Sequence, residues 1–117
     1  MRIFNNADLY PTPVNVIELM CNGLDLIDKT VLEPSAGLGD IVDFCVGAGA
    51  NIIACEIIES LRDVLDKKEC KLIGEDFLKI ESSEVSHIDF IIMNPPFSQA
   101  EKHVQHAWDI APEGCEI

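Results

Sequence analysis

Apolar and polar positions along this chain change period several times, and the changes divide it into short alternating elements. Val14, Ile17, Met20, Cys21 and Leu24 recur at helical spacing, which predicts a helix ending near Gly23. Before it, the prolines of the Tyr10 to Pro13 stretch favour extended backbone, because a residue preceding proline avoids the helical region. Thr30 to Glu33 reads as a short buried strand stopped by Pro34. Ile41, Val42, Phe44, Cys45 and Ala48 then trace the inner face of a helix closed by Gly47 or Gly49. The same order repeats, with a strand over 51–56, a helix whose inner face is Leu61, Val64 and Leu65, and a strand over 70–73. An irregular acidic stretch over 76–87 leads to a fourth strand over 88–93. Ser98 is placed to cap a last helix in which Ala100, Val104, Ala107, Trp108 and Ala111 share a face. Pro112 and Gly114 break that helix, and residues 115–117 begin another strand.

Strands alternating with helices at this spacing predict an α/β fold, an open doubly wound, mostly parallel sheet with helices on both faces. In such sheets ligands bind beyond the carboxyl ends of the strands, where the strand order reverses. The 117 residues suffice for one domain with a real core, and 48% hydrophobic with 25% charged residues is the balance of a globular protein. No apolar run approaches the roughly 20 residues of a membrane span, and the N-terminus lacks the pattern of a secretory signal, so a cytoplasmic protein is expected. Five scattered cysteines with no C-x-x-C pair read as reduced core or near-core residues. A formal net charge of −13 makes this segment, taken alone, a poor binder of a phosphate backbone.

The chemistry gathers at the strand ends. Gly37 and Gly39 follow the first strand and lead into a helix, so the backbone there can turn tightly and approach a ligand closely. The third glycine of the dinucleotide fingerprint is absent, which favours a nucleoside over a pyrophosphate. Glu56 ends the second strand, 19 residues after Gly37, where doubly wound folds place a carboxylate for ribose hydroxyls. Asp76 and Phe77 follow the third strand, offering an acceptor for an adenine amino group and a ring for its face. Asn94, Pro95, Pro96 and Phe97 end the fourth. The two prolines stiffen the backbone and remove N–H donors, so the Pro95 carbonyl and the Asn94 side-chain oxygen can both accept from one planar amine. Held so, the amine nitrogen is drawn toward tetrahedral geometry and its lone pair is freed, while Phe97 offers a face for an unstacked base.

Tyr10 to Pro13, Glu33 to Gly39, Glu56, Asp76 with Phe77, and Asn94 to Phe97 together resemble the class I S-adenosylmethionine-dependent N6-adenine DNA methyltransferases of bacterial, archaeal and phage genomes. The resemblance covers residues 10–117. It implies that Thr12 and Pro13 touch the methionine end of the cofactor, that Glu33 and the loop of Ser35, Ala36, Gly37 and Gly39 hold its amino acid part, and that Asn94 borders it. Glu56 would hold the ribose, Asp76 and Phe77 the adenine, and Asn94 to Phe97 the target amine. The Asn-Pro-Pro-aromatic signature is shared with enzymes acting on ribosomal RNA adenine and on protein glutamine. By the family pattern, residues 1–117 are a single partial methyltransferase domain, with three further strands and a target-recognition region expected beyond Ile117. The fourth strand would then lie near an uncovered edge that a homodimer could cover, and DNA would be the partner of the full enzyme. The rival expectation is a catalytically silent module that binds the cofactor or a partner chain. No metal is expected: His103 and His106, three apart on the last helix, lack a ligand partner at metal spacing and read as exposed. The acids over 75–84 lack the pattern of a calcium loop.

Overall fold

The computed structural model describes residues 12–95 and 97–117. The elements are α1 (Val14–Met20), β1 (Thr30–Glu33), α2 (Asp40–Gly47), β2 (Asn51–Cys55), α3 (Glu59–Leu65), β3 (Cys70–Gly74), β4 (Phe90–Ile91) and α4 (Ala100–Ile110). Single 3-10 turns occupy Phe77–Lys79, Ser82–Glu84 and Phe97–Gln99. The four strands form one parallel sheet in the order β3-β2-β1-β4, which is the doubly wound α/β architecture expected. From β1 the chain steps outward through β2 to β3, then returns to place β4 on the other side of β1. The reversal of strand order therefore falls between β1 and β4.

Side chains that alternate along each strand serve two separate cores. Val31, Ile52, Ala54 and Ile92 join Ile17, Val42 and Cys45 of α1 and α2 on one face. Leu32, Ile53, Cys55 and Ile91 join Phe77, Ile80, Val85, Ala107 and Ile110 on the other. Both faces are covered, so the strands are apolar without alternation, as parallel strands between two layers must be. The five thiols are free, and Cys21, Cys45 and Cys55 are buried. Among the described residues no helix is long and apolar enough to cross a membrane.

The structure departs from the sequence pattern in three places. The fourth strand is two residues long and not six. Its pairing with β1 is flanked by Asp89 N–H to Thr30 O at 2.8 Å and Ile92 N–H to Leu32 O at 3.1 Å. β1 itself ends at Glu33, and Pro34 has no N–H to extend the ladder. Helix α4 starts at Ala100 with Gln99 in the cap position, one residue later than a Ser98 cap implies, because the segment before it closes as a 3-10 turn. The inward face of α4 is His103, Ala107 and Ile110, whereas Val104 is exposed and Trp108 is 75% exposed. Beyond α4 the chain meets the outer side of β4 through a parallel bridge between Phe90 and Glu116. Ile91 N–H donates to Glu116 O at 2.7 Å, so part of that edge is paired within the chain.

Candidate functional site

The tips of all four strands open into one cleft of about 400 Å³ at the carboxyl edge of the sheet. Its walls include Glu33 to Leu38 after β1, Glu56 to Ile58 after β2, Glu75 to Leu78 after β3, and Asn94, Ser98 and Gln99 after β4. Thr12 and Asp40 close one end, and His103 reaches in from α4.

Gly37 adopts a left-handed backbone with φ of 55°, and a Cβ there would meet nothing nearer than Ser35 O at 3.9 Å. The space beside Gly37 is therefore open to a ligand. Its N–H donates to Glu56 Oε1 at 2.6 Å, and Ile58 N–H donates to Glu56 Oε2 at 2.9 Å. A carboxylate has about four acceptor positions. Two backbone donors thus lock the rotamer of Glu56 and leave acceptor capacity toward the cleft. Arg62 braces the same wall: its Nη1 donates to Ile57 O at 2.8 Å and Glu56 O at 3.1 Å, and lies 3.5 Å from Glu75.

Glu33 is 1% exposed and accepts Ser35 N–H at 2.8 Å. Burial pushes its carboxyl up from 4.5 to about 8; the Ser35 bond opposes the shift and the Glu56 charge adds to it. Asp76 Oδ1 accepts Leu78 N–H at 3.0 Å, which starts the 3-10 turn and leaves its other oxygen uncommitted by that bond. Asn94 Nδ2 donates to Thr12 Oγ1 at 3.2 Å, and Thr12 N–H donates to Asp40 Oδ2 at 2.8 Å.

Of the residues expected to form the site, Thr12, Glu33, Ser35, Ala36, Gly37, Glu56, Asp76, Phe77 and Asn94 line the cleft together. Pro13, Gly39 and Pro95 are not among the lining residues. Pro13 occupies the cap position of α1. Gly39 is left-handed with φ of 90°, and a Cβ there would lie 2.7 Å from Lys68 Cε and 3.2 Å from Leu65 Cδ2. The left-handed backbone by itself favours glycine there, and the Lys68 side chain packs against the face a Cβ would occupy. Tyr10, Pro11, Pro96 and the Phe97 side chain lie outside the described residues, so the stacking role expected of Phe97 concerns a group the structure does not describe.

Phe77 sits where expected, but its ring is 1% exposed, packed against His103 at 5.3 Å and His106 at 4.9 Å between centroids. It supports the floor of the cleft and leaves little free face for an adenine. The apolar surface available beside Glu56 is Ile57, at 64% exposure, a residue the sequence pattern did not single out. The two histidines of α4 are not exposed helix residues. His103 is 8% exposed and shares a 3.0 Å hydrogen bond between Nδ1 and Ser35 Oγ, while half-buried His106 donates from Nε2 to Ile80 O at 2.8 Å. Burial lowers the pKa of His103, against the pull of Asp76 and with a small addition from His106. The only hint in the sequence was that position 103 lies four residues before Ala107, on the same helical face.

Neither a protein-family model nor a curated protein sequence matches the chain. Solved structures do. Over 89% of its length the chain matches a candidate RNA methyltransferase from Pyrococcus horikoshii, with a TM-score of 0.74 and 26% identity, covering 59% of that chain. A candidate transferase from the same organism matches 93% of the chain at a TM-score of 0.66 and 20% identity, covering 44% of its own length. The 23S rRNA methyltransferase ErmE matches 86% at a TM-score of 0.65 and 18% identity, covering 43%. The chain thus spans roughly half the length of these structures. Over that span it carries the Rossmann-like α/β fold of the class I methyltransferases.

Proposed function

We propose that this chain forms the cofactor-binding and target-amine-binding part of a methyltransferase that uses S-adenosylmethionine to methylate the N6 amino group of adenine in DNA. The observation that carries the reading is the convergence of Asn94, Gly37 and Glu56 on one cleft of about 400 Å³, from three strand ends that are distant in sequence. The cleft fits such a cofactor chemically. Asp40, Glu56, Glu75 and Asp76 line it with their carboxyl groups, and buried Glu33 adds a carboxyl that a cation can ionise, a field suited to a ligand bearing a sulfonium and an ammonium. The open space at Gly37 admits a ligand against the backbone, and the locked Glu56 carboxylate retains acceptors for a pair of ribose hydroxyls.

S-adenosylmethionine, when bound, supplies an electrophilic methyl group. The residues do the rest. Glu56 accepts from the ribose, Asp76 accepts from the cofactor's adenine amino group, and Ile57 covers the face of that ring. Glu33 and Ser35 lie at the amino acid end. Asn94 Oδ1 would accept one N–H of the target amine and the carbonyl of Pro95, which adjoins the lining at Asn94, would accept the other, an arrangement that would favour attack by the amine lone pair. No strong base is needed, since the nitrogen sheds its proton readily once alkylated.

A second reading, methylation of adenine in RNA, is favoured by the description of two matching structures as RNA methyltransferases or candidates. Titration calorimetry with S-adenosylmethionine and S-adenosylhomocysteine tests the cofactor site, and micromolar binding is expected. Tritium transfer from labelled cofactor to duplex DNA, RNA and a glutamine peptide tests the substrate. With a net charge of −13, the chain by itself is expected to transfer little to DNA. Absence of any cofactor binding would sink the proposal, and cofactor binding without transfer to DNA, RNA or the glutamine peptide would favour a silent module.

A further inference from the structure

The Asn94 side chain is an amide with a donor end and an acceptor end, so its usefulness to an amine substrate depends on which end faces the cleft. Residue 12, 82 positions earlier, bears on that choice. Asn94 Nδ2 donates to Thr12 Oγ1 at 3.2 Å. Thr12 is itself held by its backbone N–H, which donates to Asp40 Oδ2 at 2.8 Å at the start of α2. All three residues line the cleft. With Nδ2 engaged by Thr12, that bond leaves Oδ1 on the other branch of the amide uncommitted.

We propose that Thr12 is a positioning residue for Asn94: its side-chain oxygen takes an amide hydrogen of Asn94, so that the amide presents an acceptor, and the site selects a substrate bearing a planar N–H donor. The inference rests on the amino-methyl-transfer reading above and adds to it the device that selects an amine over a carbonyl or ether oxygen. An amide turned the other way would aim N–H groups at the N–H groups of the target, and two donors facing each other leave both unsatisfied. The anchor at Asp40 belongs to the loop-to-helix junction that follows Gly37, so the same segment that approaches the cofactor also sets the orientation of the target-binding amide.

The test uses the whole 117-residue chain, labelled with nitrogen-15. In Thr12→Val the Asn94 side-chain amide resonances are expected to shift and their two protons to exchange faster with water, whereas Thr12→Ser, which keeps the oxygen, leaves them near their wild-type positions. In a second arm, binding of 9-methyladenine is measured in the presence of S-adenosylhomocysteine. Thr12→Val is expected to weaken it about tenfold, the equivalent of one hydrogen bond, with recovery to within about twofold in Thr12→Ser. A structural role for Thr12 would not show this rescue pattern together with unchanged backbone spectra. Unshifted Asn94 resonances in Thr12→Val, or Thr12→Ser behaving like Thr12→Val, would overturn the proposal. Should the wild-type chain take up S-adenosylhomocysteine but no adenine probe, the adenine reading fails, and the resonance arm still decides whether Thr12 holds Asn94.

Discussion

Replacing Glu33 with glutamine keeps the shape of the side chain and an oxygen to accept Ser35 N–H, but removes its proton equilibrium. In the folded chain burial moves the Glu33 carboxyl from 4.5 to about 8. A folded state that holds a proton more tightly than the unfolded chain loses stability as pH rises between those two values. The contribution is fully present below about pH 4.5 and gone above about pH 8. The slope approaches about 1.4 kcal/mol per pH unit, so roughly 2–3 kcal/mol should disappear between pH 5 and pH 7. Urea unfolding across that range should show the decline in the wild-type chain and lack this component in Glu33→Gln. The same proton couples to ligand. At pH 7 a carboxyl titrating near 8 is about nine-tenths protonated, and a cationic amino acid group placed beside it should expel that proton. Calorimetry in buffers of different ionisation enthalpy should therefore detect release of about 0.9 proton on binding S-adenosylmethionine at pH 7. If the cation holds Glu33 ionised throughout, affinity should rise about fifty-fold from pH 6 to pH 8. The ligand's own amino group titrates in both proteins, so the difference between wild type and Glu33→Gln isolates Glu33. Parallel stability profiles for the two chains, or equal proton release, would refute a neutral buried Glu33 that meets the cofactor.

Three further outcomes are expected. Gly39→Ala should destabilise by about 1–3 kcal/mol in urea, since a left-handed backbone strains any Cβ and Lys68 must retreat from its 3.0 Å pair with Asp43. His103→Gln should flatten the acid side of the stability profile. The His103 pKa lies below 6.5 in the folded chain, so its contribution is present above that value and lost as pH falls below it, which thermal melts from pH 7 to pH 5 would record. Trp108→Ala should change stability by less than about 0.5 kcal/mol, whereas Ile110→Ala should cost about 2–4 kcal/mol, a contrast that denaturant midpoints would read directly.

The sequence by itself determined the alternation of strands and helices and the chemistry of the strand ends, because both depend on local physics. Runs such as Thr30–Glu33 and Asn51–Cys55 have no polar alternation, so they belong between two layers, and Pro34 stops the first of them wherever it is placed. Gly37, Glu56 and Asn94 could be assigned to one crevice because parallel strands carry their ends to the same edge. Only the tertiary structure decided how helices face and what the polar groups meet. Along α4, the residues at 104 and 108 and those at 103 and 110 offer competing faces, and the periodicity favoured the first because Val104 and Trp108 outweigh a histidine. The fold buries the second, since Ser35, 68 positions earlier, supplies the hydrogen bond that lets His103 turn inward beside Phe77. That Lys68 rests against Gly39 was likewise beyond the reach of the local pattern. Each of these outcomes depends on a partner far away in the chain, and the pairing exists only after the sheet has brought the two ends together.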